Sequence, residues 1–211
     1  MKKSIFSLSV LFFLAFTSIK AFADGFPIGS VLEDFKLKDI NGVEQSFTSL
    51  KGKKGTVIIF LSAQCPVVKG YNARINQIYA DYQSKGINFI GINSNSTESL
   101  EWVKSHAEAN YKFPMLIDSG NVLADEFGAT VTPEVFVFDA AGKLVYKGAI
   151  DNSRTGENIT ENFLRDALDA LLNGKQISKT VTKAFGCSIK RIEGQQKSVN
   201  TSIKIQRAKT E

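Results

Sequence analysis

Thr56-Val57-Ile58-Ile59-Phe60-Leu61 leads directly into Ser62-Ala63-Gln64-Cys65-Pro66-Val67-Val68-Lys69. The first six residues are a β-branched and apolar run, the mark of a strand buried on both faces. Proline is favoured at the first helical position, so Pro66 places Cys65 at the N-cap of a helix. That helix is predicted over 66–85, with Val67, Tyr71, Ile75, Ile78, Tyr79 and Tyr82 at helical spacing and Gly86 as its stop. A sulfur at an N-cap faces unpaired backbone N–H groups and the positive end of the helix dipole. Both stabilise a thiolate and lower the thiol pKa. Lys69, one turn further on, adds positive charge on the same face. The thiolate is the attacking form in disulfide exchange and in peroxide reduction. A buried, inert cysteine at a strand end is the plainer alternative.

Outward from this stretch, strands and helices alternate. Phe35 to Asp39 and Val43 to Phe47 flank Asn41-Gly42 and predict a β-hairpin. A second apolar strand is predicted over 87–93, then a helix capped by Thr97 and holding Leu100, Trp102 and Val103. A short strand over 113–117 and a short helix over 121–127 follow. A hairpin over 133–139 and 143–150 comes next, and then a last helix capped by Thr160 and ended by Asn173-Gly174. A parallel crossover followed by a hairpin and a terminal helix implies a mixed sheet with helices on both faces. Thr132-Pro133 stands at the start of the strand Glu134-Val135-Phe136-Val137-Phe138. Proline fits poorly inside a central strand. A cis peptide at the strand entrance reconciles the two; an ordinary trans proline in a loop is the alternative.

Composition bounds the rest. The chain has 211 residues, 43% hydrophobic and 22% charged, which is globular composition. Two cysteines exclude a disulfide-rich scaffold and a cysteine-built zinc finger. Met1-Lys2-Lys3, the apolar run from Ile5 to Phe16 and Ala21-Phe22-Ala23 read as a secretory signal peptide over residues 1–23, cleaved after Ala23. A periplasmic or secreted protein is expected, in a compartment where disulfides persist, with membrane contact only during export. An uncleaved membrane anchor is the alternative. The formal charge of +5 is a property of the tail, because residues 175–211 carry nine basic and two acidic residues. With Phe185 as its only aromatic, this tail reads as a solvated, partly disordered extension, not as a nucleic-acid surface. The expected organisation is therefore a signal peptide, one domain over 24–174, and a basic extension over 175–211 carrying Cys187.

At this point the chain resembles the thioredoxin-fold redoxin superfamily, in its peroxiredoxin-like AhpC/TSA or secreted thioredoxin-like branches. The resemblance covers about 26–174. It rests on the strand leading to Ser62-Ala63-Gln64-Cys65-Pro66, on Val131-Thr132-Pro133-Glu134, on Phe136-Val137-Phe138-Asp139 and on Gly142 to Gly148. It implies a three-layer α/β/α fold with a mixed sheet and an N-terminal β-hairpin. It also implies Cys65 as nucleophile and a cis Pro133 beside it. Ser62, Pro66, Lys69, Thr132 and Pro133 are expected to line the substrate pocket. No metal or organic cofactor is expected.

Departures from the family patterns matter. Val68 stands where thioredoxins carry their second cysteine, and Gln64 where they carry Trp. Ile58 stands where peroxiredoxins carry Pro, and Lys69 replaces the second cysteine of the copper-binding relatives. Ser62 matches the peroxiredoxin hydroxyl; it is expected either to bond a peroxide or the sulfur, or to cap the turn. Cys187, 122 positions downstream, is expected to resolve oxidised Cys65 within one chain or across a homodimer. A static disulfide and an unrelated thiol are the alternatives. His106, the only histidine, reads as a solvated surface residue, and Arg74 as a surface cation or a distant aid to the site. The implied partner is a protein thiol or disulfide, or a small peroxide. The competing function class is a non-catalytic binding module held by a structural Cys65–Cys187 bridge.

Overall fold

The computed structural model describes residues 25–192. The expected signal peptide and the end of the basic tail, 193–211, lie outside the described residues. β1 (Lys36–Asp39) and β2 (Glu44–Ser46) form the expected hairpin, followed by a one-turn α1 (Phe47–Leu50). Then come β3 (Gly55–Phe60), α2 (Pro66–Gln83), β4 (Ile87–Asn93), α3 (Leu100–Asn110), β5 (Met115–Ile117) and α4 (Val122–Phe127). The chain closes with β6 (Val131–Thr132), β7 (Glu134–Asp139), β8 (Leu144–Gly148), α5 (Phe163–Leu172) and β9 (Cys187–Ser188).

Seven strands make one mixed sheet in the order β2-β1-β5-β4-β3-β7-β8. β3, β4 and β5 run parallel, joined by helical crossovers, and the remaining pairings are antiparallel. Every residue of β3 is buried, which explains why its sequence lacks polar alternation. Val57 and Ile59 face a cluster containing Val68, Tyr71 and Ile75 of α2 and Leu164 and Leu168 of α5. Ile58 and Phe60 face the opposite cluster, with Leu123 and Phe127 of α4. There Phe127 stacks on Phe136 at 4.9 Å, and Phe60 meets both rings edge-on. Each such side chain contributes about 1.5–3 kcal/mol by leaving water. The result is the expected three-layer α/β/α architecture.

Register positions the site. β7 runs antiparallel to β3 with Phe60 opposite Glu134. The end of β3, which leads to Cys65, therefore lies beside the start of β7, which follows Pro133.

The caps differ from expectation by two residues each. Ser99, not Thr97, caps α3 by accepting from Trp102 N, and Asn162, not Thr160, precedes α5. Neighbouring polar residues compete for such positions, and the packing of the helix against the sheet decides between them.

The segment after α5 departs most from the expected solvated extension. From 175 to 192 the chain runs back over the molecule as an arm. It first hydrogen-bonds β8, with Lys147 N donating to Thr180 O (2.9 Å) and Thr182 N to Lys147 O (3.0 Å). It then forms β9 against β6, with Thr132 opposite Cys187.

Candidate active site

Cys65 is the N-cap of α2 and Pro66 stands at its first turn, as the sequence implies. Cys65 is buried at 2% exposure. It is disulfide-bonded to Cys187 of the same chain, with Cα atoms 5.9 Å apart. The Cys65 sulfur lies 3.4 Å from the carbonyl oxygen of Thr132. The Thr132–Pro133 peptide bond is cis, and both residues are buried. Cys65, Cys187, Thr132 and Pro133, spread over 122 positions, thus meet at the junction of β3, β6 and β9.

The approach is tight at one residue. A Cβ on Gly186 would sit 1.9 Å from the Thr132 carbonyl oxygen. Only glycine lets the arm's backbone lie flat against β6 and carry Cys187 to Cys65.

Ser62 is occupied. Its hydroxyl donates to Glu98 and accepts from Cys65 N (3.1 Å). The Glu98 carboxylate also accepts from Ala63 N (2.9 Å), Gln64 N (3.0 Å) and the Asn93 side-chain amide (2.6 Å). One carboxylate therefore gathers the whole loop between β3 and Cys65. Ser62 acts as a link in that cradle, the capping role foreseen for it. Lys69 is exposed one turn along α2, and Pro66 is exposed at the helix start.

Sequence reading missed Glu98. Its three partners in the loop lie 34 to 36 positions upstream, and nothing local marks a carboxylate that will serve a distant loop. Replacing Glu98 with Ala leaves four donors without their acceptor. An unfolding midpoint in urea is expected to report a loss of about 2–3 kcal/mol, and unchanged stability would show that the loop holds itself.

The Asn93-to-Thr97 loop, expected as a turn bordering the site, cradles the arm. Asn95 Oδ1 accepts from Lys190 N (3.0 Å), and Ser96 N donates to Lys190 O (2.9 Å). Asn121, buried with φ 60°, accepts from Ile192 N (3.1 Å) through its side-chain oxygen.

Two surface readings are corrected. Arg74 lies over the Tyr71 ring at 3.6 Å and pairs with buried Asp151. The same carboxylate, 2.7 Å from the Tyr71 hydroxyl, and burial above all, push that phenol's pKa up. His106 is half-buried between α2 and α3, its Nε2 3.3 Å from the Asn72 amide and its ring 5.6 Å from that of Tyr111. Burial lowers its pKa below 6.5. The unfolded chain therefore takes up this proton first. The associated stability is complete above pH 6.5 and falls as pH drops towards the folded value. A His106→Gln chain should lose less stability than wild type over that descent. Parallel urea-denaturation curves across the acid range would contradict the assignment.

The family of the chain follows from comparison with known proteins. The AhpC/TSA family profile matches residues 28–147, more than half of the sequence. The chain belongs to the AhpC/TSA family. A crystal structure of an uncharacterized conserved protein from Geobacillus kaustophilus is 35% identical with a TM-score of 0.75, covering 80% of this chain and 94% of that one. A hypothetical protein from Sinorhizobium meliloti 1021 is 32% identical with a TM-score of 0.74, covering 81% and 97%. The thiol-disulfide oxidoreductase ResA of Geobacillus thermodenitrificans is 27% identical over 136 residues, 64% of this chain and 76% of its own length. The AhpC/TSA chain is thus an oxidoreductase of the thioredoxin-fold redoxin superfamily.

Proposed function

We propose that this AhpC/TSA protein is an exported thiol–disulfide oxidoreductase whose redox centre is the reversible Cys65–Cys187 pair. The observation that carries the reading is the disulfide itself, closed between a helix N-cap and a strand paired to the residue before a cis proline. With Val68 at the third position after Cys65, no second cysteine stands within the motif. Cys187 supplies that sulfur from the arm.

Two thiols of a partner give two electrons and two protons in total. The Cys65–Cys187 bond breaks, the partner's disulfide forms, and the chain becomes a dithiol. The reverse direction reduces a partner disulfide. Cys65 stands at the N-terminal end of α2, the end of a helix that favours negative charge.

Exchange is favoured over peroxide reduction by the state of Ser62. Its hydroxyl is engaged by Glu98 and Cys65 N, so it is not directed at a peroxide. The signal-peptide pattern supports export to a periplasm or cell exterior. The bond closes within one chain, so the pair needs no second copy.

The test is turnover of two substrates by the wild-type protein. Insulin reduction in the presence of dithiothreitol should be accelerated, and hydrogen peroxide should be consumed at the rate of buffer with dithiothreitol. Rapid peroxide turnover without insulin reduction would reverse the choice.

A further inference from the structure

We infer that Cys187 is the sulfur at which partner thiols attack and depart, and that Cys65 acts beneath it as the internal leaving group. This deepens the exchange reading above and rests on it.

The two cysteines differ in exposure. Cys65 is buried at 2% exposure, whereas Cys187 is only partly buried and is followed by exposed Ser188. The arm that covers Cys65 is tied down on both sides of Cys187, independently of the disulfide. Before it, Ala149 N donates to Thr182 Oγ1 (2.9 Å), and the Phe185 ring lies 6.3 Å from that of Tyr71. After it, Ile189 is buried in the core and its N–H donates to Thr130 O (2.9 Å). Arg191 pairs with Asp125 (2.7 Å) and donates to Ala129 O (2.7 Å), and Ile192 N reaches Asn121. Breaking the sulfur–sulfur bond removes none of these contacts. The arm therefore stays docked in the dithiol state.

A docked arm also occupies the edge of β6. Thr132 is already paired with Cys187, so an extended partner segment cannot take that place. The partner must present its thiol from outside the arm. Its thiolate attacks Cys187 Sγ, a new sulfur–sulfur bond forms there, and the Cys65–Cys187 bond breaks. The electron pair goes to Cys65 Sγ, which leaves as a thiolate at the start of α2. A second partner thiolate then attacks the partner's own sulfur, forming the partner disulfide and releasing Cys187 as a thiolate. Charge released at the N-terminal end of α2 is favoured there, so the place of the leaving sulfur and the exposure of the two residues point in the same direction.

Two single-cysteine chains, Cys65→Ser and Cys187→Ser, test this with 5,5′-dithiobis(2-nitrobenzoate) as probe. In the folded proteins Cys187 should react at least about tenfold faster than Cys65, and the gap should close in urea. Adding Arg191→Ala and Ile189→Ala to the Cys187→Ser chain should loosen the arm and speed Cys65. A Cys65 that reacts as fast as Cys187 with the arm anchored would overturn the inference. A second measurement uses the oxidised wild type, treated with glutathione, quenched in acid and peptide-mapped. Glutathione is expected on Cys187, and glutathione on Cys65 would again overturn the assignment. Insulin turnover by wild type separates the two levels. Turnover with attack mapped to Cys65 sinks only the assignment of roles. Absence of turnover sinks the exchange reading, and the inference with it.

Discussion

A Cys65→Ser chain is expected to reduce insulin no faster than dithiothreitol alone, and to be much less stable than the oxidised wild type. Both effects come from one sulfur. Serine at the N-cap keeps an oxygen for the first turn of α2, so the helix start survives. The hydroxyl cannot form the bond to Cys187. The lost cross-link spans 122 residues. Closing a loop of that length stabilises a fold by roughly 5 kcal/mol in the chain-entropy view. Urea denaturation of oxidised wild type against the variant reads this difference. Dithiothreitol-reduced wild type should match the variant. A variant retaining insulin turnover would remove Cys65 from the chemistry altogether.

The second large effect is expected from Gly186→Ala. The added Cβ would meet backbone, at 1.9 Å from the Thr132 carbonyl oxygen and 2.6 Å from its carbon. Backbone cannot swing aside as a side chain can, so β9 must lift away from β6. Forcing a methyl into a packed site costs about 1–3 kcal/mol. In this variant the disulfide holds the arm against the clash and the dithiol frees it to lift; each 1.4 kcal/mol is tenfold in an equilibrium, so the Cys65–Cys187 pair should shift roughly 5- to 140-fold towards the dithiol. Gly186 is only partly buried and β9 is two residues long and outside the seven-stranded sheet, so the fold should persist. Equilibration in glutathione buffers, followed by alkylation and mass measurement, gives the shift. An unchanged equilibrium would mean that the arm has room to spare at this point.

Much of this architecture was legible in the residues. Thr56 to Leu61 announces its double-sided burial, because a strand with helices on both faces has no solvent side to mark with polar residues. Pro66 fixes the helix start and thereby the place of Cys65. Pro133 at a strand entrance announces the cis bond. The arm was not legible. β9 is two residues long, and its anchors are backbone groups and the side chains of Asn95, Asn121 and Asp125. Such contacts leave no periodicity, and the basic composition of the segment reads as solvated. Glu98 was hidden for the same reason: its role exists only once β3 and β4 lie side by side. His106 looked like surface because its helix is polar, yet α3 packs against α2 on that side.

The most direct measurement is a redox titration of the folded wild-type protein in glutathione buffers, with alkylation and peptide mapping of both cysteines at every step. A reversible two-electron transition should appear, in which Cys65 and Cys187 are labelled together while the protein stays folded. A pair that resists reduction until the protein unfolds would contradict the exchange mechanism and leave a structural bridge in its place.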